Sequence, residues 1–345
     1  MVTFEPEITV DAGLNAQPSG IRNRIRSLFV KRPYADGADL SGKTVIVTGA
    51  SPQSIGFATA KSLASFGATV VVTTRSNTER TLEQIRAKLQ KPQDRERVYG
   101  HPMDLLDRES VAEFARWFLD THGERLDILV NNAGVHLDLL AQWKEPRLTD
   151  DGFEIHWRTN YLGTAQLTHL LLPLLVKTGQ QSGDARIVNV VSHLLVKGSN
   201  EDMFGRTRPY GSWAAYGNSK LALTHMANEV QRRYAKSANL QAYSLHPGSV
   251  FTKVADKGLE GIGWATRLRT ALAPVEAFFL KSPEEGAQTS IHCATHPAVL
   301  GGLYYQECAP AEPSEDTADA NVAARLWDET RAWIETGRWD TARRS

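Results

Sequence analysis

From Lys43 onward, apolar runs of strand length alternate with stretches whose apolar positions recur at helical spacing. Thr44-Val45-Ile46-Val47-Thr48 precedes a helical stretch from Gly56 to Phe66, and Thr69-Val70-Val71-Val72-Thr73 leads into another from Thr78 to Leu89. The run from Arg97 to Met103 is paired with Arg108 to Thr121, and Leu126-Asp127-Ile128-Leu129-Val130 with a long helix from about Thr149 to Lys177. Arg186 to Val191 comes before a helix near Ala214 to Tyr234, Leu240 to Leu245 gives a sixth strand, and Gly302 to Tyr305 a seventh.

Strands that are Val- and Ile-rich and nearly continuous in apolar residues suit a parallel sheet covered on both faces. Their alternation with helices predicts an α/β fold: a doubly wound parallel sheet of about seven strands flanked by helices, in a single domain. Residues 1–40, rich in Pro, Gly and charge, read as an N-terminal extension, 41–310 as the domain itself, and 311–345 as a C-terminal helical tail with a helix near Ala320 to Thr336. Within the extension, Ile21 to Arg32 has the pattern of a basic amphipathic helix. Packing on its own domain is the preferred reading of that helix, with a membrane surface or a partner as the other.

Composition narrows the function classes. Basic and acidic residues balance at 39 each, so no overall field would recruit nucleic acid or an anionic membrane. The two cysteines, Cys293 and Cys308, have no framework spacing and fit a reducing compartment. No apolar run approaches the roughly 20 residues that span a bilayer, and the N-terminus lacks the features of a secretory signal. A cytoplasmic protein with no metal site, no membrane span and no nucleic-acid partner is expected.

Thr48-Gly49-Ala50-Ser51-Pro52-Gln53-Ser54-Ile55-Gly56 lies between the first strand and its helix, where backbone N–H groups and the helix dipole can hold a pyrophosphate. At the end of the second strand, Thr74 stands where a carboxylate would select a free ribose 2′-hydroxyl, and Arg75 follows it. A guanidinium there suits a 2′-phosphate, which favours NADP over NAD. Gly37 to Thr44 matches the phosphate-loop pattern G-x-x-x-x-G-K-[ST], but a polar segment precedes it and the strand follows, the reverse of what that loop requires. Tyr216 and Lys220, one helical turn apart, share a face, and a nearby ammonium lowers the pKa of a phenol toward the range useful for proton transfer. Ser192 at the end of the fifth strand and Asn160 in the preceding helix can bring polar groups to the same edge of the sheet.

In this order these segments resemble the short-chain dehydrogenase/reductase family over about residues 41–310. The carrying residues are Thr48 to Gly56, Asn131-Asn132-Ala133-Gly134, Asn160-Tyr161-Leu162-Gly163, Arg186 to Ser192, Tyr216-Gly217-Asn218-Ser219-Lys220 and Pro247-Gly248-Ser249-Val250-Phe251-Thr252. The chain is most similar to the retinol-dehydrogenase-like, carbonyl-reducing branch. The resemblance implies a Rossmann-like fold and a catalytic set in which Tyr216 is the general acid/base. Lys220 would lower its pKa and hold the nicotinamide ribose, Ser192 would orient the carbonyl, and Asn160 would support a proton relay. It further implies cofactor contacts from Gly49, Ser51, Ser54, Ile55 and Gly56 in the loop, and from Asp104 and Leu105 near the adenine. Asn132, Ala133 and Gly134 would border the adenosine half, and Pro247, Gly248, Val250 and Thr252 would flank the nicotinamide. A homodimer or homotetramer is the family's usual assembly.

The loop departs from the family's T-G-x-x-x-G-x-G: Ser54 replaces a glycine and Pro52 lengthens the turn. This spacing leans toward enoyl-thioester reductases, but those use a wider tyrosine–lysine separation that neither Tyr210 nor Tyr216 provides. Carbonyl/alcohol chemistry is therefore preferred over C=C reduction, and both over a non-catalytic NADP-binding scaffold. Two segments beside the reactive centre, His193 to Ala215 with Met203, Phe204, Tyr210 and Trp213, and Lys253 to Leu280 with Trp264, Phe278 and Phe279, are expected to shape a pocket for a hydrophobic carbonyl or alcohol.

Overall fold

A computed structural model of the chain describes residues 34–137, 143–205, 207–250 and 281–339. The Ile21 to Arg32 stretch, Thr252 and the aromatics Trp264, Phe278 and Phe279 lie outside these residues.

The strands are β1 (Thr44–Thr48), β2 (Thr69–Thr74), β3 (Val98–Pro102), β4 (Ile128–Asn131), β5 (Ala185–Val190), β6 (Leu240–His246), β7 (Tyr304–Gln306) and β8 (Ala309–Ala311). They form one sheet in the order β3-β2-β1-β4-β5-β6-β7-β8, parallel except for the β7–β8 hairpin. The chain runs outward from β1 to β3, then returns to β4 on the other side of β1. This reversal opens a crevice at the carboxyl ends of the strands, the place where such sheets bind ligands.

Alternate residues serve opposite faces of the sheet. In β1, Val45 and Val47 belong to one buried cluster with Val70 and Val72 of β2, while Ile46 joins Val71, Leu129 and Ile187 in the other. Helices α1 (Ile55–Ser65), α2 (Thr78–Lys88), the short α3 (Pro92–Glu96) and α7 (Pro283–Thr295) cover the first face; α4 (Arg108–His122), α5 (Gly163–Ser182), α6 (Ser212–Ala238) and α8 (Ala320–Thr336) cover the second. Ends follow local chemistry: Asp107 and Asp319 accept from backbone N–H groups at the starts of α4 and α8, and Gly183 and Gly337 take left-handed conformations after α5 and α8.

The long helix expected from Thr149 does not begin there. The Thr149 hydroxyl oxygen accepts from Phe153 N (3.2 Å), Gly152 N donates to Thr149 O (2.8 Å), and Gly152 has φ +80°. These local bonds compete with helix formation. The segment makes a tight bridge between Leu148 and Glu154, followed by a π-helical turn, Trp157–Leu162, that runs into α5.

Two elements were not expected. The start of α7 carries a capping box, with Ser282 and Glu285 exchanging side-chain-to-backbone bonds and Pro283 in the first turn. The β7–β8 turn uses Glu307 and Cys308, both at positive φ. At the other end, Ala35 and Leu40 are already part of the domain: Ala35 N donates to Gln288 Oε1 (3.0 Å) and Leu40 N to Phe66 O (2.8 Å).

The segment expected as a tail is built into the core. In α8, Leu326, Trp327 and Trp333 are buried in the second cluster, and Tyr161 OH is 2.6 Å from Thr330 Oγ1. Trp333 is fully buried, edge-on to Phe153, and lies beneath the guanidinium groups of Arg108 (4.8 Å) and Arg158 (5.2 Å). Trp333→Ala is expected to cost about 3–5 kcal/mol of stability, read as a lower denaturant midpoint. A loss below about 1 kcal/mol would mean that α8 is peripheral.

Candidate active site

The loop after β1 is held by contacts with the segment that follows β4. Thr48 Oγ1 accepts from Asn132 N (3.0 Å) and Ala133 N (2.9 Å), and Asn132 Nδ2 donates to Thr48 O (2.8 Å). Gly49 has φ +68°, and a Cβ on it would sit 2.8 Å from Ala133 Cα; one on Gly56 would strike the Asn132 amide. Close approach of the strand ends explains both glycines. Ser54, which replaces the family glycine, is the N-cap of α1: its Oγ accepts from Phe57 N (3.0 Å) and donates to Gly49 O (3.2 Å). The extra residue is absorbed by Gln53 in a left-handed conformation (φ +65°). Ser51 is exposed and Ile55 half-buried, so the positive end of α1 faces solvent at the crevice and fits an anionic dinucleotide.

Arg75, Asp104 and Leu105 follow the carboxyl ends of β2 and β3, on the other side of β1 from the tyrosine. Thr74 is buried, its hydroxyl shared with Ser76 O (3.0 Å) and Thr78 Oγ1 (2.8 Å), while Arg75 is exposed. Asp104 Oδ1 accepts from Leu106 N (3.0 Å), and Leu105 O accepts from the buried Arg158 (2.9 Å).

The structure brings together Asn160, Ser192, Tyr216, Lys220 and Gly134. Ser192, two residues past β5, hydrogen-bonds the Tyr216 hydroxyl and accepts from Leu194 N (3.2 Å). Asn160 sits in the π-helical turn. Its Oδ1 accepts from Val135 N (2.7 Å), and its Nδ2 donates to Val135 O (2.9 Å) and Ser219 Oγ (3.1 Å). Lys220 Nζ donates to Val190 O (3.1 Å) and lies 5.8 Å from the Tyr216 ring centroid. A Cβ at Gly134 would come 3.0 Å from that ammonium. With one hydrogen bond among the described residues, the ammonium keeps donor capacity for ribose hydroxyls.

The electrostatics correct one expectation. Burial pushes the Tyr216 phenol up to about 12, against the opposing effect of its bond to Ser192, and burial pulls the Lys220 ammonium down to about 8. Desolvation outweighs the lowering expected from a lysine at this distance. The Tyr216 hydroxyl is therefore protonated at neutral pH.

After β6, Gly248 has φ +88° and packs on the buried Lys281, whose ammonium is 3.6 Å from Glu307. Pro247 precedes it, and Val250 bridges to Lys281. Of the four aromatic or sulfur-bearing side chains that His193 to Ala215 was expected to bring to the pocket, Met203, Phe204 and Tyr210 border a separate cavity of about 480 Å³ with Phe153 and Trp157. Helical spacing puts the α6 residues of that cavity, Ala214, Ala215 and Asn218, on a different face from Tyr216 and Lys220. Only Trp213 reaches the tyrosine side, edge-on to His136 at 5.8 Å.

Sequence reasoning missed His136 and His156. The His136 ring lies parallel to Tyr216 (centroids 4.1 Å, 14°), and His156 meets the same ring edge-on (5.9 Å). Their positions carried a signal: His136 follows Asn132-Ala133-Gly134-Val135 directly, and His156 precedes Asn160 by one turn.

A doubly wound sheet with these four side chains at its carboxyl edge defines a Rossmann-fold oxidoreductase. Residues 43–262 match the family model described as short chain dehydrogenase, and the chain belongs to that family. It is 34% identical to human (Homo sapiens) retinol dehydrogenase 11 over 311 residues, 88% of this chain and 90% of the relative. Identity to polyprenol dehydrogenase of Mus musculus is 37% over 84% of this chain and 82% of the relative. Among solved structures, the fold is shared with the Pseudomonas aeruginosa RhlG/NADP active-site complex (TM-score 0.57, 23% identity, 77% of this chain and 94% of that one). It is also shared with 3-ketoacyl-(acyl-carrier-protein) reductase from Brucella melitensis complexed with NADH (TM-score 0.55, 21% identity, 77% and 96%). No helix among the described residues is long and apolar enough to cross a membrane.

Proposed function

We propose that the chain uses NADP(H) to interconvert a hydrophobic aldehyde or ketone and its alcohol. The observation that carries this reading is the Tyr216 hydroxyl bonded to Ser192, with Lys220 one turn away. Ser192 orients a carbonyl oxygen beside the phenol, and neutral Tyr216 gives it a proton as negative charge develops there. In the alcohol-to-carbonyl direction the same oxygen takes the proton back. Lys220 contributes positive charge beside the phenol and donors for a ribose, and Asn160 fixes the strand end that borders both. The dinucleotide, when bound, supplies or accepts the hydride. Retinol and polyprenol, named in the relatives, are long apolar alcohols and support an apolar substrate.

NADP is favoured because Thr74 offers no carboxylate and Arg75 is exposed beside it. The structural neighbours' titles name both NADP and NADH, so the residues carry the choice. Arg75→Ala is expected to raise the KM for NADPH about 10- to 100-fold, the equivalent of one charge-assisted contact, and to leave NADH unchanged. An unchanged NADPH/NADH preference would sink the NADP assignment.

The activity is tested by NADPH and NADH consumption with retinal, a long-chain polyprenal, a steroid ketone, an aromatic aldehyde and an enone. Reduction of at least one carbonyl is expected. NADPH binding without turnover of any carbonyl would overturn the reading.

A further inference from the structure

We propose that His136 is a positioning residue for Tyr216: its imidazole, clamped from both sides along the backbone, holds the tyrosine ring in the plane that delivers its hydroxyl to Ser192. The inference rests on the reading of Tyr216 as the proton donor.

The clamp has two jaws. On one side of His136, Val135 is gripped through both its N–H and its carbonyl by the Asn160 amide, at 2.7 and 2.9 Å. On the other side, Leu137 N donates to His156 Nε2 at 3.2 Å. His156 is itself fixed, with Nδ1 2.9 Å from Glu154 Oε1. Since Nε2 accepts a backbone N–H, the ring proton resides on Nδ1, facing the carboxylate, and the tautomer follows from the two partners. Glu154 is anchored in turn by Trp157 N (2.9 Å) and Tyr210 OH (3.0 Å). His156 caps the π-helical turn and Asn160 lies within it, and such a wider backbone turn is a frequent mark of functional sites.

Between the jaws, His136 is 5% exposed and lies flat on Tyr216, 4.1 Å away and 14° from parallel. The edges of Trp213 (5.8 Å) and His156 (6.0 Å) close around it. A flat ring pressed on one face restricts rotation of the phenol out of that plane more tightly than a side chain of equal volume without a flat face. Proton transfer depends steeply on such placement, since misplacement by about 1 Å can slow a reaction roughly 100-fold.

The test uses the full-length enzyme, saturating NADPH and whichever carbonyl of the panel it reduces fastest. His136→Ala is expected to lower kcat about 10- to 100-fold with KM changed less than about threefold. His136→Phe, which keeps the parallel ring, is expected to restore kcat to within about threefold of the parent. His136→Leu, which fills the space without a flat ring, is expected to be as slow as alanine and serves if the alanine variant does not fold. The inference is overturned if the alanine and leucine variants run within about twofold of the parent, or if phenylalanine is as slow as they are. Tyr216→Phe separates the two readings. If it is inactive while His136→Leu is normal, only the clamp fails; if it is fully active, the role of Tyr216 fails and the clamp with it.

Discussion

Tyr216→Phe is expected to bind dinucleotide as the parent does and to lose about 10²–10⁴-fold in kcat, the span that general acid–base catalysis supplies. The change deletes one oxygen and leaves the ring, so the stack on His136 and the edge contact with His156 persist. Packing is preserved and proton donation removed. Dinucleotide affinity from fluorescence titration, set beside kcat, distinguishes this outcome from misfolding, which would lower both. Activity within about tenfold of the parent would remove Tyr216 from its role. Ser192, its hydrogen-bond partner, does not replace the lost hydroxyl, because an alcohol is a far weaker acid than a phenol.

Lys220→Met is expected to abolish turnover to a similar extent and to make the fold more stable. The parent buries an ammonium at 4% exposure with one acceptor among the described residues, and burial lowers its pKa from 10.5 to about 8. At about 1.4 kcal/mol per pKa unit, that burial costs roughly 3 kcal/mol near neutral pH. Losing the bond to Val190 O offsets about 1 kcal/mol, which leaves a gain of about 1–2 kcal/mol for methionine. The sign with pH follows from the lowered value. Below about 8 the amine is charged in both folded and unfolded chains and the penalty is full. Between about 8 and 10.5 only the unfolded chain binds the proton, so this group makes the parent more stable as pH rises. Above 10.5 the penalty is gone. Urea midpoints of parent and variant should therefore differ most near neutral pH and converge as the solution becomes alkaline. A methionine variant less stable than the parent at neutral pH would refute the account.

The fold was largely legible because parallel strands buried on both faces must read as apolar runs, and Thr44–Thr48, Thr69–Thr74 and Ala185–Val190 do. What escaped were elements whose determinants are not periodic. The Thr149–Gly152 turn wins through side-chain-to-backbone bonds, and the β7–β8 turn lacks the glycine or asparagine that would announce positive φ. The place of α8 was hidden for another reason. Its amphipathic pattern marks one face as apolar but cannot say that the face meets Phe153 and Tyr161. At the site, Tyr216, Lys220, Ser192 and Asn160 were found through motif order. His136 and His156 were not, because a histidine next to a motif is uninformative until the chain is folded around it. The pKa of Tyr216 likewise depends on desolvation, which spacing alone does not show.

The placement of Trp333 has a consequence for synthesis. Tyr161 and its partner Thr330 are 169 residues apart in sequence. A ribosome elongating at roughly 5–20 residues per second delivers the second about 10–30 s after the first. Throughout that interval the nascent chain presents Phe153, Tyr161 and the neighbouring helices with no cover over the groove that α8 will fill. Closure of that groove therefore waits on the synthesis of α8, long after the residues beneath it have been made.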